Sequence, residues 1–400
     1  MPEAVPLRPG FRVLWVALLV CLFMMMPVAA PAQLPENEES QPEVWLLTYG
    51  PGEVYWQRFG HNAIWIVDHS GGLNHTFNFG FFDFTQQGFL KNFIFGRLNY
   101  FAAARPAKVE LSEYVDADRS VRAQRINIDA ARIGLLSDFL ITEISDENRE
   151  YLYDYYLHNC STRVRDAIDL VLNGALKEEF DQSPASLNYR DHTRRLTQMD
   201  PIYYLGLQAG LGSPVDQPVS RWDEMFIPGV LADALTEAID PYTGQPVVTQ
   251  EVMLHVSSME SPPALPDVVW YRYLAGAVAI LLIGVALSFI PRVTARQLAT
   301  SWLLTGGFLG LVLAFLWLGT DHWVSALNLN LLLLNPLWLL VMFRALQKPL
   351  AWLVVVCGLV ALAAPWYPPW QYNADVVALI LPLNLLSSVL LLKSGSKLSE

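Results

Sequence analysis

Charge is scarce in this chain of 400 residues: Asp, Glu, Lys and Arg make up 16% of it, against roughly a quarter in ordinary soluble domains. With a mean hydropathy of +0.30, that shortage excludes a soluble cytosolic enzyme and points to membrane spans. Basic residues are the scarcer sign, 26 against 38 acidic, for a net charge of −12. A nucleic-acid partner is thereby excluded, because phosphate binding needs a basic footprint. Cysteine is rarer still. Cys21, Cys160 and Cys357 are too far apart for a zinc cluster and too few for a disulfide framework. No internal repeat is found, and nothing calls for a metal or a cofactor. The length exceeds what one compact domain needs, so two units are expected.

Long apolar runs occupy what charge leaves free. Arg8 and Arg12 precede an uncharged run from Val13 to Ala30, and Ala30-Pro31-Ala32 closes it before Gln33. A basic start, a short apolar core and a small-residue exit make a secretory signal peptide over 1–32, with an uncleaved anchor as the alternative. Either one exports the chain beyond it. Five further apolar runs lie near 269–290, 300–319, 324–343, 350–366 and 375–392. Most approach the ~20 residues needed to cross ~30 Å of hydrocarbon. Arg292 and Arg296, Arg344 and Lys348, and Lys393 and Lys397 follow the first, third and fifth runs. The other two loops, with Asp321-His322 and Trp366-Tyr367-Pro368-Pro369-Trp370, contain no Lys or Arg. The positive-inside rule then makes 267–400 an all-α five-helix transmembrane domain that starts outside and ends in the cytoplasm. That direction agrees with an exported domain over 33–266, whose end is marked by Pro262-Pro263 and Pro266.

The exported domain carries all but five of the 38 acidic residues, a charge that serves solubility beside a membrane. Val44–Tyr49 and Asn62–Val67 read as strands, Gly71-Gly72 as a turn, and Thr76–Phe79 as the returning strand of a hairpin. Gln87–Phe95 is a short helix candidate, and Ser120–Ile128 alternates like another strand. Asp129 is placed to cap a helix over Ala130–Ile144. Val164, Ala167, Ile168, Val171 and Leu172 form the apolar stripe of a helix from Ser161 to about Leu172, stopped by Asn173-Gly174. Strands early and helices late give an α+β fold.

Cys160 is the one cysteine of this domain, and an unpaired thiol in an oxidising compartment is either buried or used. Its context, His158-Asn159-Cys160-Ser161-Thr162-Arg163, puts the sulfur at a helix N-terminus, where free N–H groups and the macrodipole favour thiolate. The same N–H groups suit an oxyanion formed in acyl transfer. An inert buried Cys is the competing interpretation. A nucleophilic Cys needs a base, usually His. His61 stands out because it opens an otherwise apolar strand. His69 adjoins a turn, His75 is a weak candidate, and His192 and His255 lack a constellation. His158 is only two residues from Cys160, a spacing that rarely turns both side chains the same way.

Three segments, Phe59-Gly60-His61-Asn62-Ala63, Phe77-Asn78-Phe79-Gly80-Phe81-Phe82-Asp83-Phe84 and Asn159-Cys160-Ser161-Thr162-Arg163-Val164-Arg165-Asp166, together resemble the Lnb N-terminal periplasmic domain family. Its namesake is a bacterial lipoprotein N-acyltransferase. A His-bearing strand followed by a Cys-bearing helix is also similar to the permuted papain-like fold of lecithin:retinol acyltransferase and related phospholipid N-acyltransferases, where an Asn-Cys pair likewise opens the helix. The resemblance covers most of 45–230, including Trp222-Asp223-Glu224-Met225-Phe226-Ile227-Pro228. It extends to the membrane part through His322 and Asn328-Leu329-Asn330-Leu331-Leu332 ahead of Asn335-Pro336. It implies Cys160 as nucleophile, His61 as base and Asn78 as a polar orienter from the neighbouring strand, with Asp83 a poorer choice.

What the resemblance implies in chemistry is a thiol acyltransferase of the bacterial inner membrane, with its N-terminal domain in the periplasm. The expected acyl donor is a membrane phospholipid, and the acceptor is a lipoprotein or other amine. A cysteine peptidase or amidase acting on cell wall and a non-enzymatic envelope assembly factor are the alternatives. Asn328, Asn330 and Asn335, with His322, read either as a polar headgroup or acyl-chain site or as helix–helix hydrogen bonding. The aromatics at 366–372 fit an interfacial belt. Arg163, Arg165 and Asp166 are expected on a helix surface or in ion pairs, not as catalysts, and Phe81, Phe82 and Phe84 to pack in the core, with the lining of an acyl groove as the alternative.

Overall fold

The computed structural model describes residues 42–68, 72–291, 293–363, 365–367 and 370–394. The expected signal peptide, His69 and Gly71 lie outside them. The chain runs β1 (Glu43–Tyr49), β2 (His61–Asp68), β3 (Leu73–Phe81), α1 (Phe89–Phe95), β4 (Leu98–Pro106), α2 (Ala107–Asp116), β5 (Val121–Ile126), α3 (Ala130–Glu143), β6 (Glu150–Tyr153) and α4 (Cys160–Val171). It continues through α5 (Ala175–Phe180), α6 (Tyr189–Thr197), α7 (Pro201–Gly210), α8 (Arg221–Glu224), α9 (Pro228–Glu237) and β7 (Val248–His255).

The strands form one antiparallel sheet in the order β6-β4-β3-β2-β1-β5-β7. β1 and β2 lie at its centre and are covered on both faces, which is why each reads as a continuous apolar run rather than an alternation. Val44, Leu46, Ile64 and Ile66 pack on α3, α4 and α9. Trp45, Leu47, Ala63 and Trp65 pack on the opposite side with Ala107, Leu111 and Tyr114 of α2. Antiparallel pairing brings the end of β1, the start of β2, the end of β3, the start of β4 and the end of β6 to one edge of the sheet.

Among the described residues four helical stretches are long and apolar enough to cross a membrane, Trp270–Ser288, Ala295–Leu318, Arg344–Ala363 and Ala374–Lys393; they contain α10 (Trp270–Ser288), α11 (Ala295–Leu318), α12 (Gln347–Ala363) and α13 (Ala374–Ser394). The expected third helix, over 324–343, is a correction. That stretch is a chain of 3₁₀ turns at Trp323–Ser325, Leu329–Leu332 and Pro336–Met342. Asn328 and Asn335 accept hydrogen bonds from the N–H two residues on, closing local turns that compete with α-helix. Pro336 removes a further donor. The stretch still travels the length of α11. It starts at Asp321, whose N–H donates to Phe95 O, and ends where Gln347 meets Arg296 near the start of α11. Irregular backbone at that depth must be sheltered by protein. Gly307 and Gly310 of α11 admit it, since a Cβ on Gly310 would stand 2.4 Å from Leu334 O. Asn384 and the fully buried Trp338 donate to Leu333 O, and Gln347 to Val341 O.

Candidate active site

α4 begins at Cys160 because Asn159 caps it. Asn159 Oδ1 accepts from Thr162 N–H at 2.9 Å, and Thr162 Oγ1 accepts from Asn159 N–H at 2.8 Å, a reciprocal capping box. The cap is itself held. Asn159 Nδ2 donates to the carbonyls of Tyr155 and Phe226, and Ser161 Oγ donates to Met225 O at 2.6 Å. Arg165 Nη1 donates to Trp222 O. The 222–228 motif thus acts through its backbone carbonyls, as a socket for the first turn of α4.

His61 is the first residue of β2, reached through Gly60 at φ +83°, where a Cβ would stand 2.8 Å from Tyr49 O. Asn78 pairs across the sheet with Ala63, so His61 and Asn78 project from the same face. His61 Nε2 and Asn78 Oδ1 are 2.8 Å apart. Asn78 Nδ2 donates to Glu110 at 2.7 Å, which leaves Oδ1 to face the ring and accept from Nε2–H. Nδ1 is then the ring atom left for the Cys160 thiol. Glu110, 1% exposed on α2, also accepts from Tyr49 Oη and Thr76 Oγ1, each at 2.6 Å. The imidazole lies against the stacked rings of Tyr49 and Tyr114, at 5.9 and 6.2 Å.

Burial is the largest single influence on both groups and disfavours charge on each. It is outweighed. His61, by its charge and its hydrogen bond, together with the N–H groups of Asn62 and Ser161, brings the Cys160 thiol below its ordinary value. Cys160, then Asn78 and Glu110, bring His61 above its own. Both shifts run in the direction of a thiolate beside an imidazolium. Cys160 stays half-buried, not sealed. Next to it, Gly80 sits at φ +96°, within a break in the β3–β4 register. A Cβ there would lie 3.6 Å from Cys160 Cβ and 3.5 Å from Tyr153 Cε2, in ordinary contact with both.

Of the expected site residues, the structure brings together Cys160, His61 and Asn78. Asp83 is apart, its carboxylate taken by Thr85. His192 is buried against Glu224 and accepts from Arg195, and His255 pairs with Asp118. Glu110, Tyr49 and Tyr114 were not anticipated. A usable signal was present, because Ala107, Glu110, Leu111 and Tyr114 fall at helical spacing and put a carboxylate on the buried stripe. Two further expectations are settled by contacts. Asn328 and Asn330 donate to the carbonyls of Gln208, Ala209 and Gly210 at the end of α7, a structural role. Phe84 does not pack in the core, being 64% exposed. Among the described residues no group of three His, Cys, Asp or Glu is placed to hold a metal ion.

The site end of the sheet is the end that docks on the membrane helices. Trp323, beyond α11, donates to Asp154 Oδ2 at 2.5 Å, and its neighbour Val324 packs in one cluster with Tyr156, Tyr189 and Phe226. Two family models match the chain: the Lnb N-terminal periplasmic domain over residues 36–197 and the Lnb transmembrane domain over residues 269–397. No curated protein and no solved structure matches it.

Proposed function

The chain belongs to the Lnb family, and from that premise we propose that it is a membrane-bound thiol acyltransferase. Cys160 takes a fatty acyl chain from an ester of a membrane glycerolipid, such as a phospholipid, and passes it to an amine, the N-terminus of a lipoprotein. One observation carries this reading: a thiol of lowered pKa, hydrogen-bonded to an oriented imidazole, at the end of the sheet that faces the membrane region.

In the first half-reaction the thiolate attacks the ester carbonyl. The carbon–sulfur bond forms, the bond to glycerol oxygen breaks, and imidazolium His61 gives its proton to the leaving alkoxide. In the second half, the amine attacks the thioester and neutral His61 takes the proton that the nitrogen loses. The carbon–nitrogen bond replaces the carbon–sulfur bond, and the thiolate–imidazolium pair returns. The Ser161 N–H at the start of α4, already a donor to the sulfur, is placed to stabilise the developing oxyanion. A thioester acylates an amine without ATP, provided that water is kept out.

We assign 33–266 to the periplasm and 267–400 to five crossings of the bacterial inner membrane, the third in 3₁₀ form. The far end of the bundle, where Arg296, Arg344, Lys348 and Lys393 gather, is the cytoplasmic side. Tethering confines enzyme and both lipid substrates to one surface and raises their effective concentration.

The test is mass spectrometry of the full chain purified in native membranes. The expected result is an acyl adduct on the Cys160 peptide that hydroxylamine removes, absent from Cys160→Ser, with N-acylated lipoproteins lost in cells carrying that variant. Lipoprotein acylation that survives Cys160→Ser would refute the reading. Cleavage of soluble cell-wall peptides by the isolated exported domain would favour an amidase instead.

A further inference from the structure

We propose that α1 and the aromatic strip behind it form the lipid-access face of this site. On this view α1 lies in the hydrocarbon boundary, and an acyl chain runs along the strip to reach Cys160. The proposal deepens the acyl-transfer reading and rests on it for the chemistry at the sulfur.

α1, with sequence FLKNFIF, has no buried residue. Leu90 is 68% exposed and Phe93 43%, beside Phe84 at 64% and Trp56 at 59%. Contiguous apolar surface of this kind marks an interaction face, not a water-facing one. The occupant follows from where α1 is fastened. Phe95 packs edge-on against Phe315 of α11 at 5.6 Å, and Arg97 Nε pairs with Asp321 at 2.7 Å. Gly96, at φ +78°, lets the two backbones touch, since a Cβ there would stand 2.9 Å from His322 N. α11 is one of the apolar helices of spanning length, and its Leu318 is 77% exposed. Its end marks the level at which hydrocarbon gives way to headgroups. The apolar face of α1 continues the lipid-facing surface of α11 at that level, so lipid is the occupant that fits it.

From α1 a run of ring contacts leads inward. Phe84 meets Phe89 of α1 at 5.2 Å and Phe82 at 4.9 Å. Phe82 meets Tyr100 at 5.2 Å, and Tyr100 meets Tyr153 at 4.4 Å. Tyr153 and Cys160 then border the space that Gly80 leaves by lacking a side chain. An extended acyl chain laid on this strip needs no hydrogen bonds from it and places its carbonyl at the sulfur.

The test compares two thiol reagents with one reactive head, N-ethylmaleimide and N-hexadecylmaleimide. Both are applied to the full chain in phosphatidylethanolamine–phosphatidylglycerol vesicles and read on the peptide bearing Cys160. The variant Phe84→Asp/Leu90→Asp changes two exposed side chains. Hexadecyl labelling is expected to fall about tenfold through lost apolar contact, with ethyl labelling unchanged. Equal labelling by both reagents, or equal loss with both, would overturn the proposal. A second measurement does not depend on that variant: p-benzoylphenylalanine placed at position 90 should crosslink to phospholipid on irradiation. A crosslink to protein alone, or none, would also overturn it. The two readings fail separately. Long-chain labelling that depends on α1 in a protein never found acylated sinks acyl transfer only, whereas an acylated Cys160 with an unmoved reagent ratio sinks the access face only.

Discussion

At Asn78 the side-chain amide has two flips, and only the one that turns Oδ1 to His61 leaves Nδ1 free for the thiol. Glu110 selects it, since a buried carboxylate accepts from Nδ2 and has nothing to offer Oδ1. Asn78→Ala removes a hydrogen bond that raises the His61 pKa, so that pKa falls. The imidazolium is then lost at lower pH, and the alkaline limb of the proposed acyl transfer moves down. The thiolate loses part of its partner's charge, and the acid limb of iodoacetamide alkylation at Cys160 moves up. The working range narrows from both sides, and the rate of the proposed acylation should drop about tenfold to a hundredfold, up to the lower limit of what a positioned acid–base group contributes. A pH profile identical to wild type would show that Asn78 orients nothing. Glu110→Gln should give the same narrowing in weaker form, because it removes the carboxylate charge that raises the His61 pKa and turns an NH₂ on a hydroxyl that must reorient to accept it.

The start of α4 is where one element holds the proposed nucleophile. Its neighbours on either side of Cys160 are spent on anchoring, Asn159 on the cap and Ser161 on Met225 O. Asn159→Ala removes the capping box and two donors to buried carbonyls, and should cost about 1–3 kcal/mol. That loss is readable as a lowered urea midpoint in detergent. Fraying of the first turn also withdraws N–H groups from the sulfur, so alkylation at neutral pH should slow. Unchanged stability together with unchanged alkylation would contradict the role given to the cap. The C-terminal stop behaves as its residues suggest, Asn173 and Gly174 both taking positive φ, at 57° and 81°. The missing third membrane helix has an equally local cause, in the asparagine turns and Pro336. Its accommodation has a distant one, the glycines of α11.

For the whole molecule the decisive joint is Trp323. It ties the loop beyond α11 to Asp154, whose other oxygen accepts from the N–H groups of Tyr156 and Leu157, just ahead of Cys160. Trp323→Ala should quicken proteolysis within 154–159 and lower acyl loading several-fold, while alkylation by a small soluble reagent stays near wild type. Equal loss of both would place the effect in the nucleophile and not in the docking. Deeper in the same joint, Arg190 is fully buried and pairs with Asp216 at 2.7 Å, and Tyr204 donates to Asp375 of α13 at 2.6 Å. Desolvated polar pairs of this kind set orientation more than they add stability.

The sequence alone determined the membrane character, the exported α+β domain and the helix that opens at Cys160, while the pairing of that cysteine with His61 was expected through the resemblance of their two motifs to a known family. The first three depend on local pattern: run length, charge placement, caps and helical periodicity act within a few turns of chain. Asn78 was expected as an orienter only through that resemblance, and the hairpin register of the structure puts it on the same face as His61. Only the tertiary structure decided that Glu110 sets the amide flip, that Phe84 faces outward, and that Asn328 and Asn330 serve α7. It alone decided that the third apolar run crosses the bundle as 3₁₀ turns. Those outcomes depend on groups tens to hundreds of residues apart sharing one buried space, and short-range pattern does not record which partner will be there.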